Sequence, residues 1–211
     1  MKITWLGHAC FLLETEGKTI ITDPYEPDSY SGAVGYSEID IEPDIATVSH
    51  QHFDHNYTKN FLKAEIIDKE GKYNIEGITI EGILSYHDKE KGASRGTNII
   101  FVIENESLRV VHFGDLGTLD IDCEKLKNTD IALVPVGGTF TIDASEATQL
   151  LEKLNPKIFI PMHFKTKKLG FEIDPVDKFL KGKEYQEIDS LEVTLQNISS
   201  FKKIVVLKHQ K

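Results

Sequence analysis

The sequence predicts a domain of the α+β class in which strands outnumber helices. Short apolar and β-branched runs recur along most of its 211 residues, with turn-forming residues between them. Only the segment 144–154 shows the clear i, i+3, i+4, i+7 spacing of an amphipathic helix. A length of 211 residues and a hydrophobic content of 40% suffice for one packed domain, which we expect to span residues 1–211.

The predicted strands begin near the amino terminus. Residues 3–6, 11–14 and 19–22 read as strands, and Glu16 to Lys18 form a hairpin turn between the last two. Asp23-Pro24 ends the third strand, and residues 25–44 are predicted to form a long loop of the kind that often carries function. Further strands are predicted near 45–48, 64–68, 78–86, 98–103, 108–112, 130–134, 158–160, 192–195 and 204–207.

The helix at 144–154 has recognisable end signals. Asp143 and Glu146 are spaced as a capping box, and Asn155-Pro156 follows its last apolar residue. Shorter helices are predicted at 57–63, 122–127 and 175–181.

Composition excludes several classes of protein. A net charge of −10 argues against a nucleic-acid groove, because neutralising phosphates requires clustered Lys and Arg. No apolar run approaches the roughly 18 residues of a membrane span. Cys10 and Cys123 lack the spacing of a disulfide framework, which favours a reducing cytoplasm. We therefore expect a cytoplasmic protein that acts on a small molecule.

The most polar cluster is Ser49-His50-Gln51-His52-Phe53-Asp54-His55, directly after the apolar run 45–48. Crowded imidazoles and carboxylates are costly to bury and add nothing to a core. A metal cation reverses this, because neutral imidazoles and carboxylates are ligands of first-row metals. In an extended segment, positions 50, 52 and 54 point to one side and 55 to the other. We therefore expect a loop-borne metal site and not the His-Glu-x-x-His helix of metalloproteases.

Five predicted strands end in a histidine or an aspartate. If these strands lie in adjoining sheets, their ends share one edge, where a rigid scaffold holds the polar side chains together. The residues are Asp23, His50, His87, His112 with the nearby Asp115, and His163.

These motifs resemble the metallo-β-lactamase-fold hydrolases over almost the whole chain. They occur in order as Thr22-Asp23-Pro24, His-x-His-x-Asp-His at 50–55, Tyr86-His87, Gly114-Asp115 and Pro161-Met162-His163. Residues 7–9, 112–115, 135–141 and 162–166 look more narrowly like a small cytosolic subgroup that includes bacterial L-ascorbate-6-phosphate lactonase. The resemblance implies a four-layer αβ/βα sandwich of two mixed β-sheets, with helices outside and a dinuclear metal site at one edge.

The resemblance also implies a role for each matching residue. Asp115 would bridge two metal ions, and Asp23 and His112 would support the ligands without binding metal. Two zinc ions are the expected cofactors, with manganese or iron as alternatives. The expected ligands are His50, His52 and His87 for the first ion and Asp54, His55 and His163 for the second.

Two such cations about 3.5–4 Å apart would hold a bridging hydroxide as the nucleophile. Asp54 is close enough in the family geometry to orient it or to move a proton, so Asp54 and Asp115 are the predicted catalytic residues. We expect hydrolysis of an ester, lactone or phosphoester of a small, anionic substrate. A phosphodiesterase or RNA-processing nuclease of the same fold and a non-enzymatic metal-binding module are the alternatives. A structural zinc site closes with four ligands, which disfavours the last.

Five further residues are candidates for substrate contacts. His8 lies in a turn that we expect near the pocket, and Arg95 and Lys165 are candidate cations for an anionic group. Gly138 and Thr139 are candidate backbone donors. His209 is predicted to be only solvated. Homo-oligomerisation is left open, and the conformations of the 25–44 and 88–97 segments do not follow from residue types.

Overall fold

Two six-stranded mixed β-sheets form the body of the protein in the computed structural model, which describes residues 1–105 and 107–211. In spatial order, the first sheet contains β13 (Ser190–Glu192), β1 (Lys2–Gly7), β2 (Cys10–Thr15), β3 (Lys18–Thr22), β4 (Ile45–Thr47) and β5 (Glu65–Ile67). The second contains β11 (Ile158–Met162), β10 (Ile131–Pro135), β9 (Arg109–His112), β8 (Thr97–Glu104), β7 (Ile78–Tyr86) and β6 (Gly71–Ile75). β12 (Gln186–Ile188) and β14 (Val205–Leu207) form a separate parallel pair. The predicted fold class is confirmed.

Strand directions determine where the polar strand ends meet. In the first sheet β3 and β4 are parallel, and β1 shares their direction because β2 is antiparallel to both β1 and β3. In the second sheet β9, β10 and β11 are parallel, and β7 shares their direction because β8 is antiparallel to its two neighbours. Each sheet therefore brings the carboxyl ends of several strands to one edge.

The main core lies between the two sheets. Ile3 and Trp5 of β1 and Phe11 and Leu13 of β2 are buried at alternate positions, the period of a strand with one inward face. They belong to one apolar cluster with residues of the second sheet, including Phe101 of β8. The cluster anchors both layers, and hence the edge that carries the polar residues.

The segment 25–44 covers the outer face of the first sheet. Its side chains Tyr25, Val34 and Tyr36 pack with Leu6 and Leu12 in a second apolar cluster. Hydrogen bonds from the Tyr25 hydroxyl to the Ser37 carbonyl (2.9 Å) and between the Tyr36 and Thr166 hydroxyls (2.8 Å) hold the segment in place. This irregular chain occupies the position where the predicted sandwich has helices.

The longest helix has the predicted bounds. The Asp143 carboxylate accepts hydrogen bonds from the backbone N–H groups of Ser145 and Glu146, both at 2.9 Å, and Glu146 accepts one from the Asp143 N–H. This capping box starts the helix, and Asn155, with φ 48°, ends it. The helical segments are α1 (Ser29–Gly32), α2 (Ala144–Leu154), α3 (Asp177–Leu180) and a 3₁₀ turn (Ile198–Ser200). α1 is a single irregular turn, with left-handed backbone angles at Tyr30 and Ser31. Within the described residues, none of them has the length and apolar character needed to cross a bilayer.

Four local predictions need correction, and one strand was not predicted. Residues 57–63 and 122–127 form turns and not helices, because segments this short gain too little from one buried face to offset helix nucleation. The predicted helix at 175–181 is reduced to α3. The edge strand β6 was not predicted, because its largely polar sequence lacks the alternation of apolar and polar residues that is typical of a strand. His209 is partly buried and packs edge-on against Trp5 and Tyr36.

Candidate metal centre

The polar strand ends of the two sheets converge on one cluster. The ligand atoms within each of two groups of side chains lie within 4.8 Å of one another. One group is His50, His52 and His87, and the other is His8, Asp54, His55 and His163. Each group combines residues that follow strands of the first sheet with a histidine that follows a strand of the second.

Asp115 stands between the two groups. Its Oδ1 lies 3.3 Å from His55 Nε2 and 3.3 Å from His163 Nε2. Its Oδ2 lies 3.2 Å from His87 Nε2 and 3.9 Å from His50 Nε2. One carboxylate oxygen therefore faces each group, which is the arrangement expected of a bridging ligand.

Gly114 allows Asp115 to reach this position. Its φ is +54°, and an added Cβ would lie 2.4 Å from Asn98 Oδ1 and 2.6 Å from Ser49 Cβ. The same Asn98 Oδ1 accepts a hydrogen bond from the Asp115 N–H at 2.9 Å. The close approach of these chains therefore requires glycine at 114.

The histidine-rich segment is not extended, which corrects the predicted alternation of its side chains. The N–H of His55 donates to the carbonyl of His52 at 2.9 Å, so residues 52–55 form a turn. The turn places Asp54 and His55 in the same group, whereas His50 and His52 belong to the other. The segment therefore contributes two side chains to each group.

Asp23 orients two of the histidines. Its carboxylate accepts hydrogen bonds from the Ser49 N–H (2.7 Å), the Ser49 hydroxyl (2.6 Å) and His55 Nδ1 (2.9 Å). Because the Ser49 hydroxyl donates to Asp23, its oxygen is left to accept from His50 Nδ1 at 3.0 Å. Both imidazoles therefore present Nε2 toward Asp115. Such supporting contacts fix the tautomer of a ligating histidine.

We expect Asp23→Asn to weaken metal binding roughly 10–100-fold, the usual loss when an outer partner of a ligand is removed. An amide cannot accept all three hydrogen bonds, so His50 or His55 loses its fixed orientation. Metal titration with a competing chelator would measure the change. Asp44→Asn is the matched control, since Asp44 also accepts hydrogen bonds from Thr19 and Lys18 but lies at the opposite end of the same strands. Equal metal affinity in the two variants would contradict the role of Asp23.

His112 is buried beneath the cluster. Its Nε2 donates to the carbonyl of Ala9 at 2.8 Å, and its ring packs edge-on against Phe11. It therefore ties β9 to the turn that carries His8. Within the described residues, the His112 side chain forms no hydrogen bond with a predicted ligand. It supports the site through its hydrogen bond to the backbone of Ala9.

His8 lies deeper than its predicted position near the pocket. Its ring is fully buried, its Nε2 donates to Asp54 Oδ2 at 3.1 Å, and its ring centre lies 4.0 Å from that of His163. Burial, together with the neighbouring His163, lowers the pKa of His8 to about 4. At neutral pH it is therefore a neutral imidazole that donates one hydrogen bond to Asp54.

The other pKa shifts fit a cation site. Burial lowers the pKa of His50 and His52, which keeps both imidazoles neutral, as metal ligands must be. Burial also acts to lower the pKa of His55, but the Asp115 and Asp54 carboxylates outweigh it and raise that pKa well above its ordinary value. The carboxylates therefore attract positive charge to this place.

Buried polar atoms at the centre of the cluster also indicate a cation site. Within the described residues, His50 Nε2, His55 Nε2, Asp54 Oδ1 and Asp115 Oδ1 are buried without a hydrogen-bond partner. An unpartnered buried polar atom costs roughly 1–3 kcal/mol. Divalent cations at the two groups would supply partners for these atoms, and imidazole nitrogens with carboxylate oxygens suit zinc, manganese or iron.

A cavity of about 450 Å³ opens above the cluster. Of the five candidate substrate residues, Arg95 lines it, and His8 lies beneath it. Three aromatic residues of the lining, Tyr30, Phe140 and Phe171, were not predicted, because none of them lies in a metal-binding motif. The lining consists of Tyr30, His52, Asp54, His87, Ser94, Arg95, Asp115, Phe140, His163 and Phe171.

The structure places the other three candidates elsewhere. Lys165 Nζ donates to the carbonyl of Phe171 at 2.5 Å, and the side chain does not line the cavity. The Gly138 N–H donates to the carbonyl of Ile142 at 3.2 Å and is not free for a substrate. Thr139 lines a neighbouring cavity, and its hydroxyl donates to the carbonyl of Glu172.

Comparison with known proteins agrees with this geometry. The profile of the beta-lactamase superfamily domain matches residues 2–163. The fold and the His/Asp cluster thus define a metal-dependent hydrolase of the metallo-β-lactamase superfamily. A UPF0173 metal-dependent hydrolase from Methanosarcina mazei is 34% identical over 197 residues, covering 79% of this chain and 84% of the relative. The chain belongs to this family of UPF0173 metal-dependent hydrolases.

Two further relatives support the assignment. A UPF0173 protein from Pyrococcus furiosus is 33% identical over 186 residues, covering 79% of this chain and 84% of the relative. The crystal structure of a candidate Zn-dependent hydrolase of the same superfamily from Thermotoga maritima has a TM-score of 0.79 and 39% identity, and covers 99% of both chains. The predictions of an enzyme and of a metal-binding hydrolase are thereby confirmed.

Proposed function

We propose that this hydrolase uses two metal ions, most simply zinc, to cleave an ester, lactone or phosphoester of a small anionic substrate. The observation that carries the proposal is the division of the Asp115 carboxylate, one oxygen toward each group of ligands. A single ion would not require a carboxylate placed between two sets of imidazoles. His50, His52 and His87 would hold one ion, and Asp54, His55 and His163 the other.

When bound, two such ions lower the pKa of a water molecule and polarise the bond to be cleaved. The contribution of the protein side chains is to orient the ligands and to accept and donate protons. Burial tends to raise the pKa of Asp54, but His55 and His8 outweigh it and hold that pKa well below its ordinary value. Asp54 is therefore ionised, with Oδ2 accepting a hydrogen bond from His8 and Oδ1 buried without a hydrogen-bond partner in the described residues. We assign Oδ1 the role of accepting a proton from the attacking water.

Two alternatives are less well supported. A nuclease of the same fold would have to attract RNA with a net charge of −10. A purely structural metal site would close its ligands away from solvent, whereas this cluster lines an open cavity. A sugar-phosphate lactone, as in the L-ascorbate-6-phosphate lactonase that the chain resembles, remains within the proposed substrate class.

We expect protein purified without chelators to contain up to two transition-metal ions per chain. Elemental analysis would count and identify them, and the metal-loaded protein would then be tested on lactones, phosphodiesters and thioesters. Restoration of turnover by zinc after chelation would support the proposal. A stoichiometry of one ion at saturating metal would contradict the dinuclear assignment, and an absence of any bound metal would contradict the proposal as a whole.

A further inference from the structure

An aromatic wall forms one side of the cavity. Its members Tyr30, Phe171 and Phe140 line the cavity, and Phe53 extends the row beyond the lining. From Phe53 through Tyr30 and Phe171 to Phe140, the centres of successive rings are 6.2, 5.4 and 5.8 Å apart. Phe171 reaches inward to within 5.8 Å of the His8 ring centre. Phe53 and Tyr30, 60% and 46% exposed, lie at the mouth. A continuous apolar surface therefore runs from solvent to the metal centre, and such exposed surfaces mark binding sites.

Arg95 stands at the far end of the aromatic wall. Its guanidinium carbon lies 5.6 Å from the centre of the Phe140 ring, and the side chain lines the cavity. Within the described residues, no carboxylate oxygen approaches an Arg95 nitrogen to within 4.0 Å. Arg95 therefore forms no salt bridge with a described acid, although Asp88, Glu90, Asp143 and Glu146 line the neighbouring cavity with it.

Asp88 fixes the loop that carries Arg95. Its carboxylate accepts hydrogen bonds from the backbone N–H groups of Glu90 and Gly92 (both 2.8 Å), Ser94 (2.9 Å) and Arg95 (2.7 Å). Burial acts to raise the pKa of Asp88, but these four donors outweigh it and lower the pKa to about 2. The pKa of Asp88 is lower in the folded chain than in the unfolded chain. The ionised Asp88 therefore stabilises the fold above its unfolded pKa, and this stabilisation is lost as the pH falls toward 2.

The cavity therefore has two functionally different sides. One presents the predicted metal ligands, and the other presents the aromatic wall with Arg95. A volume of about 450 Å³ is in the range of small-molecule sites. Besides the metal ligands and Arg95, the lining offers hydroxyl groups only on Tyr30 and Ser94 in the described part of the chain. A polyhydroxylated ligand would leave polar groups unpaired there, at a cost in affinity.

We propose that the substrate is an amphipathic organic anion, that is, an aromatic or extended apolar body with one anionic group. The apolar body packs on the aromatic wall, the anion pairs with Arg95, and the scissile bond faces Asp115. This inference rests on the proposed hydrolytic function and adds to it the chemical class of the substrate. It makes Arg95 and Tyr30 the residues that determine specificity.

Calorimetric titration of three compounds tests the proposal without requiring turnover. Phenylbutanesulfonate carries both features, butanesulfonate only the anion, and phenylbutanol only the apolar body; a sulfonate is a poor ligand for zinc. We expect phenylbutanesulfonate to bind roughly 10-fold or more tightly than either of the others. A charged hydrogen bond contributes about that factor over phenylbutanol, and burial of the phenyl ring contributes at least as much over butanesulfonate. Equal affinities of the three compounds would overturn the proposal.

Variants separate the two parts of the site. Arg95→Met should weaken the two sulfonates and leave phenylbutanol unchanged, whereas Tyr30→Ala should weaken the two phenyl compounds. Tyr185→Ala is the matched control, because Tyr185 is also 46% exposed but lies outside the cavity lining. Unchanged binding in both site variants would contradict the assignment. Metal-free or inactive protein would argue against the proposed function alone, and hydrolysis of neutral esters without the binding preference would argue against this inference alone.

Discussion

Replacement of Asp115 by alanine is expected to empty both metal positions together and to abolish hydrolysis. Its two carboxylate oxygens face different groups of imidazoles, so the side chain is placed to serve both. Without it, one group keeps only imidazoles as ligands, and the other keeps a single carboxylate, that of Asp54. The loss of metal affinity should exceed the roughly 10–100-fold typical of an outer partner.

Elemental analysis and chelator competition would measure the Asp115→Ala effect. Asp120→Ala is the control, because Asp120 is an exposed acid on the same loop, five positions later in the chain. Thermal unfolding of both variants would show whether the fold is retained. Loss of one ion with full retention of the other would contradict a bridging role for Asp115.

Asp54→Asn should lower the rate of hydrolysis by roughly 10²-fold or more, the usual contribution of a positioned acid or base. Asparagine has nearly the same volume and keeps an oxygen that can accept from His8 Nε2. It lacks the charge needed to receive a proton. The fold should therefore be nearly unaffected, and the comparison of kcat with the melting temperature would separate catalysis from stability.

The Asp54 test has two informative outcomes. If excess metal restores turnover, Asp54 acts through metal binding and not through proton transfer. If turnover equals that of the wild type on every substrate, Asp54 has no part in the mechanism. Asp68→Asn, an exposed acid beyond β5, controls for the loss of one negative charge.

Much of the architecture could be predicted because it depends on local patterns. Alternating apolar residues identify most strands, and the Asp143 capping box with Asn155 identifies α2. The edge strand β6 could not be predicted in this way, since its side chains are largely solvated and its pairing with β7 is a tertiary contact. The two false helices, at 57–63 and 122–127, show the converse: propensity without a buried face does not make a helix.

The metal-centre residues were accessible to sequence reasoning, but the other side of the cavity was not. Histidines at strand ends are a local signal, and the strand directions bring them together. Tyr30, Phe140 and Phe171 come from three distant segments, and nothing in each segment distinguishes it from an ordinary core or loop aromatic. Lys165 illustrates the same difficulty, because only the fold shows that its amine turns toward the Phe171 carbonyl.

The division of the ligands between two sheets has a thermodynamic consequence. Each proposed ligand group contains residues from both sheets, so a bound cation would link the two sheets. The groups are His50, His52 and His87, and Asp54, His55 and His163. Any cation that binds only the folded chain increases its free energy of unfolding, by about 2.7 kcal/mol at a hundred times the dissociation constant. The metal concentration would thus affect the resistance of the protein to heat and proteolysis. When metal is scarce, the amount of folded protein would fall together with its activity.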